Sequence, residues 1–128
     1  MARQTSSQPT EVELQILAVL WERGPSTVRQ VHQALADQRD TGYSTTLKMM
    51  QVMLEKGLVR RNDSVRPQVY RAAKSMPQTQ VQMLDDLTQK VFGGSAKRLV
   101  MRMVSTGRLS PAEMAEIQRL AKSEGEQR

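Results

Sequence analysis

The 128-residue chain has no cysteine, a single histidine (His32) and no apolar run near the roughly 20 residues that a bilayer-crossing helix needs. Without cysteine there is no disulfide, no thiol nucleophile and no thiolate metal site. One histidine with no carboxylate cluster beside it makes no metal site either, and His32 reads as a surface residue pointing away from its helix's apolar stripe. No metal and no cofactor are expected. Aromatics make up 3% and hydrophobic residues 38% of the chain, so the core must be a modest one of Leu, Val, Met and Ala. A glycine-rich phosphate loop and a histidine–carboxylate array are both missing, and the pattern does not support an enzyme. Asp85 and Asp86 are adjacent on a helix and diverge by about 100°, so they read as solvated. The start, MARQTSSQPT, lacks the apolar stretch of a signal peptide. The chain is expected in the cytoplasm and off the membrane.

What is present is basic charge. The formal net charge is +6 and the pI about 10.2, which favours an acidic partner such as nucleic acid. The excess is local. Residues 56–74 carry Lys56, Arg60, Arg61, Arg66, Arg71 and Lys74 against Asp63 alone, whereas residues 75–128 hold eight basic and six acidic side chains.

That basic stretch follows Gly42–Gly57, GYSTTLKMMQVMLEKG, which reads as a short punctuated helix. Ser44 stands where an N-cap belongs and Gly57 where a C′ glycine belongs. Leu47, Met50, Met53 and Leu54 share one face; Thr45, Lys48, Gln51 and Val52 share the other. A helix of about a dozen residues is roughly 18 Å long and suits a DNA major groove.

Before it, Thr10 and Glu13 form a capping box for a helix to about Arg23, with Leu14, Leu17, Val19, Leu20 and Trp21 apolar. Trp21 reads as a packing residue. Gly24-Pro25 stops that helix. Thr27 and Gln30 make a second box, and Val28, Val31, Ala34 and Leu35 a buried stripe. After Gly57 the period changes. Leu58–Arg61 and Gln68–Arg71 read as strands around a turn-rich N-D-S-V-R-P. In this hairpin Val59, Val69 and Leu58 face inward, while Arg61 and Arg66 reach out.

Residues 72–78 read as a linker. Helical periodicity returns over Gln80–Phe92 (Val81, Leu84, Leu87, Val91), then from a Ser95 cap to about Ser105 (Leu99, Val100, Met103), then behind Ser110-Pro111-Ala112-Glu113 (Met114, Ile117, Leu120). Three short amphipathic helices with almost no aromatics cannot bury enough surface alone; pairing with a second copy is the simplest remedy. The nine methionines read as gap fillers of core and interface.

The expected fold class is mainly α with a small β-hairpin: a winged helix-turn-helix followed by a C-terminal helical dimerisation region. Expected boundaries are a disordered N-terminus at 1–9, a winged-helix DNA-binding domain at 10–74, three dimerisation helices at 75–123 and a flexible tail at 124–128.

The chain also resembles the penicillinase-repressor-type regulators (the BlaI/MecI/CopY family). The resemblance lies in Pro9–Leu14 through Val19-Leu20-Trp21, in Thr27–Leu35, in Gly42–Thr46 through Glu55–Val59, in Val69–Ala72, and in Phe92–Ser95 before Leu99-Val100 and Leu109-Ser110-Pro111. It implies a dimeric transcriptional repressor on an operator with dyad symmetry. In the β-lactam-resistance members a membrane sensor-protease pathway ends repression by cutting the dimerisation region. The matching bond here is Arg102–Met103, where those members have Asn-Phe. The copper-responsive members use cysteine pairs that this chain lacks. Val52 stands where many relatives have a basic residue, and Val65 where glycine is common.

The expected DNA contacts are Tyr43, Ser44, Thr45, Lys48 and Gln51 from the helix and Arg61 and Arg66 from the wing. Thr45, Lys48 and Gln51 suit base edges; Ser44 and the arginines suit phosphates. The expected dimer residues are Val81, Leu84, Leu87, Val91, Leu99, Val100, Met103, Met114, Ile117 and Leu120. A non-specific or architectural DNA-binding protein is the alternative, and a protein-interaction module a third class.

Overall fold

The computed structural model of the chain describes residues 8–126. The expected disordered N-terminus therefore lies outside the described residues apart from its last two positions. The element order is α1 (Glu11–Arg23), α2 (Val28–Leu35), α3 (Tyr43–Glu55), β1 (Val59–Asn62), β2 (Val69–Ala72), α4 (Met76–Val91), α5 (Ala96–Ser105) and α6 (Pro111–Glu126). The architecture is mainly α with one antiparallel hairpin, a winged helix followed by helices. The chain forms two compact units that divide after Met83.

The first unit has a closed core. Ile16, Val31, Met50 and Met53 are fully buried, with Leu17, Leu20, Leu35, Val59 and Tyr70 close to it. Each helix is punctuated locally. Thr10 Oγ1 accepts from Glu13 N and Glu13 Oε1 accepts from Thr10 N, and Thr27 and Gln30 do the same for α2. At the end of α3, Gly57 takes φ +79°. Its amide donates to Leu54 O, and the Leu58 amide to Met53 O, which closes the last turn as a Schellman motif. Chain reversal into β1 follows at once.

The hairpin register pairs Val59 with Ala72, Arg60 with Arg71, Arg61 with Tyr70 and Asn62 with Val69. Side chains alternate with period two, so Val59, Arg61 and Tyr70 share the core side. Tyr70, not Val69, is the inward residue of β2, and it is 1% exposed. The expected inward Val69 instead shares the outer face with Arg71. The Gly24-Pro25 break does more than stop α1. Ser26 and Tyr70 exchange both backbone hydrogen bonds, at 2.9 and 2.8 Å, so the link between α1 and α2 bridges onto β2.

Two boundaries differ from expectation. The segment read as a linker to residue 78 is already helical from Met76, because Ser75 and Gln78 form another capping box. Pro77 sits within the first turn of α4, where its missing N–H costs nothing. At the other end α6 continues to Glu126, through residues expected to fray. Ser95 and Ser110 cap α5 and α6 as their sequence context suggests.

Candidate nucleic-acid interface

The two helices of the turn, α2 and α3, are locked together by three contacts among four side chains. His32 Nδ1 lies 3.0 Å from Thr46 Oγ1, and Thr46 is fully buried. The His32 ring meets the Tyr43 ring edge-on at 5.9 Å. The Arg29 guanidinium lies over the Tyr43 ring at 5.1 Å, a cation–π contact. His32 is therefore half-buried and structural, not the free surface residue its sequence position suggests. The cause is the crossing of α2 and α3, which brings residues fourteen apart into contact.

A second lock holds the far end of α3. Lys56 Nζ donates to Glu13 Oε1 at 2.7 Å, and both side chains are largely covered. Burial alone would push the Glu13 carboxyl up. The Lys56 hydrogen bond and charge, with the Thr10 amide and hydroxyl, outweigh it and hold the carboxyl below its ordinary range. The same oxygen thus caps α1 and anchors the C-terminus of α3.

Between these locks α3 presents its outer face. Thr45, Lys48, Gln51 and Val52 are all exposed, opposite buried Thr46, Met50 and Met53. No side-chain hydrogen bond or ion pair engages Thr45, Lys48 or Gln51 among the described residues. The helix starts one residue before the expected cap. Gly42 is the N-cap and has no side chain to offer, so Ser44 sits inside the first turn and caps nothing. The first amides of α3 are consequently left without a side-chain acceptor. Tyr43, Arg29, Leu47, Pro67 and Gln68 line an open groove between this helix start and the wing.

The wing's charges are less free than their number suggests. Lys56 belongs to Glu13. Arg61, expected to reach outward, forms an ion pair with Asp63 at the wing turn. Asp63, and after it the Tyr70 side chain, stabilise its charged form. Its position on the core side of β1 is the reason. Arg66 is exposed and donates to the carbonyls of Asp63 and Val65 at 3.0 and 3.4 Å. Arg60 and Arg71 stand opposite each other on the outer face of the hairpin, without a carboxylate partner among the described residues. A like-charged cross-strand pair is unfavourable by itself. Both arginines belong to the basic excess of residues 56–74, and only the register places them. Arg29 is not among the expected contacts, because its link to Tyr43 depends on the helix crossing.

The C-terminal residues expected at a dimer interface are largely uncovered. Val81, Leu84, Leu87, Val91, Val100, Met103, Ile117 and Leu120 are all exposed, and Leu99 and Met114 partly so. No residue of α5 is buried. Arg102 and Met103 both lie inside α5 with exposed side chains. Among the described residues, no group of three or more His, Asp or Glu side chains is placed to hold a metal. None of the helices there is long and apolar enough to cross a membrane.

Comparison with known proteins adds the family. A protein called transcriptional regulator BlaI, from two strains of Mycobacterium tuberculosis, is 42% identical to this chain over 50 residues. That stretch covers 38% of this chain and 36% of the relative. The family description "penicillinase repressor" matches residues 9–123. The chain folds as a winged helix and is matched over nearly its whole length, so it belongs to the penicillinase repressor family of transcriptional regulators.

Proposed function

We propose that this repressor binds DNA sequence-specifically, as a homodimer, on a palindromic operator. The observation that carries the reading is the outer face of α3, where Thr45, Lys48 and Gln51 are exposed and without a side-chain partner among the described residues. In the groove, Gln51 suits adenine, Lys48 guanine and the Thr45 methyl a thymine methyl. The uncapped start of α3, with Ser44 and Tyr43, suits a phosphate. Arg66 and the rest of the 60–70 wing lie along the backbone and supply affinity without sequence information. Arg61 joins them only by leaving Asp63.

Residues 10–74 then serve as the DNA-binding domain and 75–123 as the dimerisation region. The exposed apolar faces of α4, α5 and α6 support the second assignment. A dyad of two copies matches an operator of two half-sites. The chain acts where its DNA is, in the cytoplasm. Release through a sensor-protease pathway would fall at Arg102–Met103. That bond lies in a regular helix, so α5 must open before a protease that binds extended chain can seat it.

Polarisation titrations on the gene's own upstream region test the proposal. Tight binding there, weaker binding to random duplex and protection of two symmetric half-sites are expected. Equal affinity for both DNAs at physiological salt would leave the alternative, a non-specific DNA-binding protein relying on Arg60, Arg66 and Arg71. Sedimentation without DNA tests the dimer, and a clean monomer at micromolar concentration would overturn it.

A further inference from the structure

We infer that Val52 reads a thymine methyl in the major groove and is a specificity-determining residue of this repressor. The inference rests on the reading of α3 as the groove-entering helix. Val52 is 40% exposed and does not pack on the core, whereas its neighbours Met53 and Leu54 do. A single exposed valine is ordinary. Its placement is what singles it out.

Val52 follows Thr45 by seven residues, close to two turns, so both side chains stand on one edge of the outer face. They are about 10 Å apart along the axis, or roughly three base steps at 3.4 Å each. Lys48 lies between them, and Gln51 occupies the other edge. The face is thus divided: one edge carries methyl groups, and the other an amide. An isopropyl group has no donor or acceptor. Facing cytosine or adenine, it would cover an amino group that water otherwise satisfies, which is unfavourable. Facing thymine, it meets the one apolar group that the major groove displays. Each half-site should therefore hold a thymine opposite Val52, about three base pairs from the one facing Thr45.

The test uses the full chain and a duplex that it enriches from a random pool. Each thymine of one half-site is replaced in turn by uracil, which removes the 5-methyl group and nothing else. The wild-type protein should lose about fourfold affinity at one position through Val52, the factor that burying one methyl carries. A second sensitive position should lie about three base pairs away, facing Thr45. In Val52→Ala the first loss should vanish and the second persist, with the melting temperature unchanged. If wild type and Val52→Ala respond alike at every position, Val52 reads no methyl. If uracil has no effect although the enriched duplex still outcompetes random DNA, the inference falls and the repressor reading stands. If no sequence is enriched at all, both fall.

Discussion

The winged helix and the C-terminal helices answer the same problem, scarce apolar residues, in opposite ways. The first unit gathers Ile16, Val31, Met50, Met53 and Tyr70 into one core and leaves almost none of their surface to water. Beyond it, Leu84, Val91 and Leu120 stay 50%, 65% and 57% exposed. Amphipathic helices of similar length supply both regions. The difference is closure: a hairpin and the Ser26 bridge cover α1–α3, while among the described residues no such cap closes over the apolar faces of α4–α6. A unit that completes its own core can be rigid as a monomer. One that does not leaves an apolar face that the proposed second copy would cover, and in that case its stability would depend on concentration.

The largest effect is expected at the open region. Leu87→Asp should separate the proposed dimer and weaken operator binding on the order of 100-fold or more, since the two half-sites then bind independently. Sedimentation and polarisation would read this, and an unaltered sedimentation coefficient would count against the interface. Met53→Ala, by contrast, should cost about 4 kcal/mol of unfolding free energy. Leu120→Ala in dilute, monomeric protein should cost under about 1 kcal/mol. Comparable losses in urea titrations would erase the distinction between closed and open regions.

Lys56→Met strands Glu13 in a covered site. About 3 kcal/mol should be lost at neutral pH. The pH dependence has a definite sign. The folded carboxyl titrates below its ordinary value of 4.5, so its contribution is present above that value and fades as pH falls through the folded pKa. In Lys56→Met only the Thr10 hydrogen bonds still oppose burial. The acid-side loss from Glu13 should flatten or reverse between neutral and acidic pH. Identical acid limbs in the two proteins would rule Glu13 out as the responsible group. The smallest effect is expected from Arg66→Ala. It should weaken operator and random DNA alike and lower the salt slope by about one unit.

Local signals in the sequence survived folding well. The Thr10–Glu13 and Thr27–Gln30 boxes, the Ser95 and Ser110 caps and the Gly57 terminator all involve groups within a few residues, where spacing dictates geometry. The exceptions are local conflicts. At the start of α3 a serine looks like the better cap, yet Gly42 occupies the site and brings Tyr43 into the first turn. At Ser75–Gln78 the box is interrupted by Pro77, which reads as a breaker until its place in the first turn is known. Contacts made across the fold were not legible. Lys56 finds Glu13 at a separation of 43 residues. Arg61 turns inward because the hairpin register sets it beside Tyr70, and a shift of one residue would have exposed it. Those long-range pairings decide which basic groups remain unpaired for the proposed DNA contacts.

The chain's solitary histidine and solitary tryptophan give it two native spectroscopic labels. The His32 imidazole sits between α2 and α3, touching Thr46 and Tyr43. Its two carbon-bound protons form an uncrowded pair of NMR signals, and their shifts should register any change in the angle between those helices on operator binding. Trp21 donates its indole N–H to Lys74 O at 3.0 Å. Its emission should therefore follow the segment that leaves the wing. Together they allow movement of the reading head and of the chain behind it to be timed separately in unmodified protein.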